Sequence, residues 1–344
     1  MVVHGACLPQ FIPNPSRVQQ KQQKLDIKCV LFFLAICFFH HQLISWIFFL
    51  LLFNLKILLQ GGSALDAVEA AIRCMEDDPL FDAGLCGSVL NADGQVEMDA
   101  IVATGGSHGA VAGLRRFKNP VSVARAVMEK SPHVLLMGEG AERFAESVGM
   151  QACERPEEFV TEAARNEWRT FKAYRDAVGV LFHSGCGSNA QISTPTPGSE
   201  SDPTISHDTV GAVAVDERGV LAAGTSTGGI TGKMPGRVGD SPIYGCGCYL
   251  EEGLCAISTT GHGESIIKAT LARTASALLE MGVAADLSQA LQMALRRMHE
   301  RTGGCGGMIA ANPDGQLEAH FTTERMISCA IGPDGVISFP THTE

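Results

Sequence analysis

The segment His207-Asp208-Thr209-Val210-Gly211-Ala212-Val213-Ala214-Val215, closed by Asp216-Glu217-Arg218-Gly219 and followed by Val220 to Ala223, decides the fold. Small and β-branched residues on either side of an acidic, glycine-terminated turn read as two strands joined by a tight hairpin. Such a connection can only make antiparallel sheet, because parallel strands need a long crossover. The stretch before it is quite different. Gly185 to His207 is rich in Ser, Gly, Pro, Thr and Asn and nearly devoid of large apolar side chains, so it reads as a surface loop. A polar tether that runs directly into a core strand is an unusual junction, and it falls between Asp208 and Thr209.

Working outward, three more turn signals carry the same message. Val89–Leu90 and Val96–Met98 flank Ala92-Asp93-Gly94; Met308–Ala311 and Leu317–Phe321 flank Asn312-Pro313-Asp314-Gly315; Ile327–Ile331 and Val336–Phe339 flank Gly332-Pro333-Asp334-Gly335. Helices fall between the hairpins. Ser63 opens a capping box in which Asp66 takes the place of the usual Glu or Gln, and Leu65, Val68, Ala71, Ile72 and Met75 follow at helical spacing. Asn119-Pro120 caps a second helix, Ser265 to Gly282 reads as a third, and Leu287 to Arg301 as a fourth that stops at Gly303-Gly304. Helices in blocks between antiparallel hairpins define an α+β chain.

Composition narrows the function. The chain has 344 residues, a net charge of −11 and only 18% charged residues, so it lacks the basic surface a nucleic-acid binder needs. Its twelve cysteines show no metal-site spacing and read as free thiols of a reducing compartment. Many of the 38 glycines cluster beside Thr, Asp and His, which suits a site made from loops approached closely by a ligand.

The N-terminal part is anomalous. Cys29 to Leu55 carries no charged residue and holds seven phenylalanines from Phe32 to Phe53, long enough to span a bilayer, yet His40, His41 and Gln42 sit in its middle. A membrane anchor, a hydrophobic helix and translated non-coding sequence are the three readings of this stretch.

Several motifs occur in one order along the chain: Gly61-Gly-Ser-Ala-Leu-Asp-Ala-Val-Glu69, Val96-Glu-Met-Asp-Ala100, His207-Asp-Thr-Val-Gly-Ala-Val213, Thr225-Ser-Thr-Gly-Gly229, Gly236-Arg-Val-Gly-Asp-Ser-Pro242 and Ser258-Thr-Thr-Gly-His-Gly-Glu264. On these the sequence resembles the plant-type asparaginase and isoaspartyl peptidase family of N-terminal-nucleophile hydrolases, from Gly61 to about Phe339. The resemblance implies a four-layer αββα sandwich with antiparallel sheets. Residues 1–60 would be an atypical N-terminal segment, 61–208 the rest of an α part, and 209–344 the β part of one domain.

The resemblance also implies the chemistry. Thr209 would cut the bond after Asp208 and, once freed, use its own α-amine as base for its hydroxyl, since threonine alone is a weak nucleophile. Thr227 would orient it, and Thr260 with Gly261 would donate to the developing oxyanion. Arg237 would hold a substrate carboxylate with its planar fork and Asp240 a substrate ammonium. Val238, Gly239, His262 and Gly263 complete the substrate-binding set, His262 as a neighbour and not as a catalytic base.

Implied substrates are isoaspartyl (β-aspartyl) dipeptides and L-asparagine. A glycosylasparaginase-like amidase is the alternative within the superfamily, and a non-maturing, inactive or membrane-tethered relative the alternative outside it. No organic cofactor and no metal catalyst is implied. A structural sodium ion held by backbone carbonyls of the Met75–Leu85 loop is, and the resemblance further implies a dimer of processed αβ units in the cytoplasm.

Two departures stand out: Asp82 replaces the family's usual Asn, and Leu85-Cys86-Gly87 is one residue longer. The family's opening strand matches Val2-Val3-His4-Gly5-Ala6, and Leu55 to Gly61 resumes the pattern. Flanking of the Phe-rich stretch by family sequence favours translated non-coding sequence over an anchor.

Overall fold

The computed structural model describes residues 30–35, 56–183, 209–323, 326–332 and 337–338. The tether Gly185–His207, Asp208 and the segment Val2–Ala6 lie outside the described residues.

Twelve strands are described. They are β1 (Val30–Ala35), β2 (Met98–Thr104), β3 (Ser107–Leu114), β4 (Leu135–Met137), β5 (Thr209–Val215), β6 (Leu221–Thr227), β7 (Cys248–Glu251), β8 (Cys255–Gly261), β9 (Gly306–Ala311), β10 (Leu317–Phe321), β11 (Ile327–Ile331) and β12 (Ile337–Ser338). An eight-stranded sheet runs β12-β11-β1-β5-β6-β2-β3-β4, and a four-stranded sheet runs β10-β9-β8-β7. All pairings are antiparallel except β3 with β4. The α+β reading holds.

The hairpin that opened the sequence reading is β5–β6. Thr209 pairs with Thr227 and Val215 with Leu221, and the Asp216 carboxylate accepts from the Arg218 and Val220 amides of the turn. The hairpins β9–β10 and β11–β12 also form as read. The Ala92-Asp93-Gly94 turn exists, but its arms make one isolated bridge, Leu90 to Val96. The pairing moves downstream because β2 starts at Met98 and joins β3 across Gly105-Gly106, both at positive φ.

Side-chain alternation decides which face of each strand goes where. From β5, Val210, Ala212 and Ala214 pack with helices α1 (Ala64–Glu76) and α3 (Pro120–Lys130); between these helices lies the single-turn helix α2 (Gly84–Gly87). Val213 and Val215 join Cys248, Leu250, Ala256, Ile309 and Ala311 of the smaller sheet in a second apolar cluster. The smaller sheet's other face, with Ile257, Met308 and Ala310, packs on α6 (Gly263–Ala269), α7 (Leu271–Glu280) and α8 (Leu287–Thr302). Two further helices precede Thr209 in the chain, α4 (Gly138–Ser147) and α5 (Glu162–His183).

Helix ends follow their sequence signals except at α3, where Asn119 stands before Pro120 but makes no side-chain cap bond. Ser63 accepts from the Asp66 amide while Asp66 accepts from the Ser63 amide, a complete capping box. Asp286 caps α8, and Gly303 closes it at φ 69°. The single helix read over Ser265–Gly282 is two, broken at Thr270. That residue has φ 44°, the one non-glycine at positive φ among the described residues. A β-branched residue there is strained. The break lets α6 start at the Thr260-Gly261 strand end while α7 turns onto the sheet.

Part of the Phe-rich stretch is a strand and not a helix: β1 lies between β5 and β11, with Ala35 opposite Val210. No helix among the described residues is long and apolar enough to cross a membrane.

Candidate active site

Thr209 begins β5 and is 8% exposed. Its hydroxyl faces Thr227 Oγ1 at 3.4 Å, because the two residues are directly paired across β5 and β6. Thr227 Oγ1 also accepts from the Gly229 amide at 2.9 Å. The strand thus ends in a tight Thr-Gly-Gly turn. A side chain on Gly228 would collide with the Asp82 carboxylate, and one on Gly229 would meet Lys233 Nζ at 2.9 Å. Those glycines admit the charged groups packed behind the threonine pair.

The loop after this turn carries the charged residues singled out in the sequence. Arg237 and Asp240 converge on Gly263, whose absent Cβ would lie 2.8 Å from Arg237 Nη2 and 2.9 Å from Asp240 Oδ1. The Arg237 guanidinium also passes over Gly229, so it reaches the turn that carries Thr227. Asp240 is buried and accepts from Thr259 Oγ1 at 3.2 Å; burial pushes its carboxyl up to about 7, while Thr259 and Arg237 pull it back. Val238 lies between the pair on the wall of a neighbouring cavity of about 320 Å³, and Gly239 is buried against the Arg237 guanidinium.

Arg237 forms a two-pronged pair with Glu264, Nε to Oε1 and Nη2 to Oε2, each 3.0 Å, which holds the Glu264 carboxyl below its usual range. The Arg237 guanidinium is thus held in one orientation by an acid.

From the smaller sheet, Thr260 and Gly261 end β8. Gly211 of β5 abuts Ser258 of β8, where a Cβ would lie 2.2 Å from Ser258 Oγ. Thr209 and Thr260 are each one pleat from that contact, on the same strand faces. Thr260 Oγ1 is buried and has no hydrogen-bond partner among the described residues, which leaves a donor free in the site. Gly261 sits at φ 130° against the Gly306 backbone, a position closed to other residues.

His262 is half exposed. Its Nδ1 meets Ser265 Oγ at 2.8 Å and its Nε2 lies 3.4 Å from Glu264, so its contacts run to the rim and not to the threonines.

Three charged groups were not singled out in the sequence. Lys233 is 3% exposed, donating to the Glu97 carbonyl at 2.6 Å and the Gly228 carbonyl at 3.0 Å. Asp99, paired with Thr227 across β2 and β6, is fully buried and accepts from the Gly113 amide. Glu97 accepts from the Gly236 amide and from Arg115, tying down the start of the Arg237 loop. Only burial separates them from ordinary surface charges, and no periodicity reveals it.

Leu85-Cys86-Gly87 lies in the single turn of α2, and Asp82 is buried with Oδ1 accepting from the Val89 amide. No cluster of three His, Cys, Asp or Glu able to hold a metal occurs among the described residues.

Fold and site together point to the class: a hydrolase of the N-terminal-nucleophile type, with a threonine at a strand start facing a second threonine hydroxyl and an arginine–aspartate pair on the loop that follows. The asparaginase family profile matches residues 52–338, and the chain belongs to that family. An isoaspartyl peptidase/L-asparaginase of Mus musculus is 44% identical over 278 residues, 80% of this chain and 78% of that protein. Its Homo sapiens counterpart is 43% identical over 286 residues, covering 82% and 84%. An isoaspartyl peptidase of Escherichia coli (strain K12) is 43% identical over 273 residues, 79% of each.

Proposed function

We propose that this chain hydrolyses isoaspartyl dipeptides and the side-chain amide of L-asparagine, with Thr209 as the nucleophile after self-cleavage between Asp208 and Thr209. The observation that carries the reading is the Thr209–Thr227 hydroxyl pair at 3.4 Å, linked through Gly229 to the Arg237–Asp240 cradle.

In the first reaction the Thr209 hydroxyl attacks the Asp208 carbonyl, and the peptide nitrogen leaves as the new α-amine. Water then hydrolyses the ester. In turnover that amine takes the hydroxyl proton as Oγ1 attacks the substrate's side-chain carbonyl. The Thr260 hydroxyl and Gly261 amide stabilise the oxyanion, a contribution of about 3 kcal/mol per donor in comparable sites. Collapse returns the proton to the leaving ammonia or amino acid, and water then releases aspartate.

The cradle sets specificity. Arg237 binds the α-carboxylate by exchanging or sharing its bonds to Glu264, while Asp240 binds the α-ammonium. Val238, Gly239, His262 and Gly263 line this end. A head group carrying both charges fits; one lacking either loses a charge-assisted bond.

The three apolar clusters support a four-layer αββα arrangement for the whole. Carbonyl oxygens of Glu76 and Phe81 crowd the glycine positions 84 and 87, where a Cβ would lie 2.4 and 1.9 Å away. From the family resemblance, we further propose that backbone carbonyls of the Met75–Leu85 loop hold a sodium ion that takes no part in the reaction. A dimer of processed units in the cytoplasm completes the proposal.

The test is Thr209→Ala. The parent protein is expected to split into two chains on a denaturing gel and to release ammonia from L-asparagine. The variant should do neither. A Thr209→Ala protein that still splits, or a parent that never does, overturns the proposal.

A further inference from the structure

The Arg237 guanidinium carries five N–H donors in one plane. Its side chain is 15% exposed, largely withdrawn from water, so those donors call for partners. Glu264, in the first turn of α6, takes one side of the plane: Nε donates to Oε1 and Nη2 to Oε2, each at 3.0 Å. This side-on pair engages two donors. Two on Nη1 and one on Nη2 are left, and Nη1 has no hydrogen-bond partner among the described residues. The end of the plane presents one N–H from each of these nitrogens in parallel, the geometry that a second carboxylate requires.

What borders that end is glycine. A Cβ on Gly239 would lie 2.9 Å from Nη1, one on Gly229 3.5 Å from Nη1, and one on Gly263 2.8 Å from Nη2. Asp240 Oδ1 is 2.9 Å from the same Gly263 point, although Asp240 bonds to Thr259 and the guanidinium's acid is Glu264. The open end of the arginine and the second charge of the cradle thus border one space. A ligand carboxylate could displace Glu264 from the side of the fork or bind the end while Glu264 stays. Displacement forfeits two charge-assisted bonds to make two, whereas end-on binding adds to them.

We infer that Glu264 is a positioning residue for substrate recognition: it stays bound side-on to Arg237 and fixes the guanidinium so that its Nη1–Nη2 end receives the head-group carboxylate. The inference deepens the proposed function and rests on Arg237 holding the α-carboxylate. It commits to a shared guanidinium and against exchange. Glu264 acts through Arg237 and touches neither the substrate nor the threonines.

The two modes predict opposite signs. The experiment compares the parent with Glu264→Gln, which keeps the shape and one acceptor but turns an amide toward the second donor, and with Glu264→Ala. KM and kcat for L-asparagine, melting temperature and the rate of splitting before Thr209, which involves no head group, are measured in each. Loss of the side-on pair should raise KM at least about fivefold in Glu264→Gln and further in Glu264→Ala. In both, kcat should stay within about twofold and splitting should run at the parent's rate.

A smaller rise, no change or a fall in KM overturns the inference; a fall would mean that the acid competes with the substrate for the fork. A drop in kcat beyond about twofold also overturns it, as does slowed splitting or failure of both variants to fold, since the pair would then be a structural tie. Arg237→Lys, which offers no fork, tests the reading beneath. Unchanged KM there would mean that Arg237 does not hold the carboxylate, and a parent that releases no ammonia would remove the reaction itself. A raised KM in Arg237→Lys with the Glu264 variants unaffected would sink the role of Glu264 alone.

Discussion

In the proposed reaction Asp240 supplies the charge that selects an amino-acid head group, and its burial makes that charge depend on pH. With its carboxyl pushed up to about 7, the group is neutral below that value and anionic above it. Only the anion can bind a substrate ammonium. The expected outcome is that kcat/KM for L-asparagine falls as pH drops through about 7 in the free enzyme. Asp240→Asn should raise KM about tenfold or more and remove this step. A pH profile unchanged by the substitution would assign the step elsewhere. At this scale the sequence singled out residues whose type and order are distinctive; of these the structure pairs Thr209 with Thr227 and sets Arg237 and Asp240 against Gly263. Lys233 was illegible, and Glu97 and Asp99 stood out only as members of the Val96–Ala100 motif, because a charged residue reads as solvated until a fold buries it.

Helices α1 and α3 meet the large sheet through one acid, Glu76, the last residue of α1. It is fully buried, and its Oε1 accepts from Ser226 Oγ of β6 at 2.6 Å and from the Val121 amide at 3.0 Å. Asn119 makes no side-chain cap to α3, so Glu76 supplies from another helix the acceptor missing at that N-terminus. Burial pushes its carboxyl up to about 8. An unfolded glutamate titrates near 4.3, so between about 4.3 and 8 the native state holds a proton that the unfolded chain has lost, and stability falls as pH rises through that window. Glu76→Gln keeps the acceptor and removes the ionisation. Relative to the parent it should gain stability as pH rises from about 5 to about 8, read from melting temperatures across that range. A constant difference between the two proteins at all pH values would show that Glu76 does not titrate there. Elements themselves were legible where a local signal specified them: the capping box at Ser63, the stop at Gly303, and turns at Asp216–Gly219 and Asn312–Gly315. Strands β2, β7 and β8 carry no comparable pattern. β2 is buried on both faces and shows no alternation, and the break at Thr270 depends on packing that no local sequence rule encodes.

At the scale of the molecule, the order of strands in the large sheet explains why a cut before Thr209 need not divide the protein. Strands upstream of the cut are β1 to β4, and those downstream in the same sheet are β5, β6, β11 and β12. Along the sheet they alternate: β12 and β11, then β1, then β5 and β6, then β2, β3 and β4. The upstream strand β1 is hydrogen-bonded to downstream neighbours on both sides, and the downstream β6 pairs with upstream β2. Side chains cross the cut as well. Lys233 reaches the Glu97 carbonyl, Ser226 bonds Glu76, Thr231 bonds Glu167 of α5 at 2.6 Å, and Phe171 of α5 fills the space that a Cβ on Gly232 would need. Separating the pieces would strip β1 from two partners and open the apolar cluster beneath β5, interactions that hydrolysis of one peptide bond leaves in place. The cleaved protein is therefore expected to elute as a single species in native buffer, with both chains present in equal amounts and activity in the same fractions. The chains should part only in strong denaturant. Recovery of an active downstream chain free of the upstream one would contradict the interlocked sheet, since Glu97 and Glu76 would no longer be there to hold Lys233 and Ser226 behind the threonine pair.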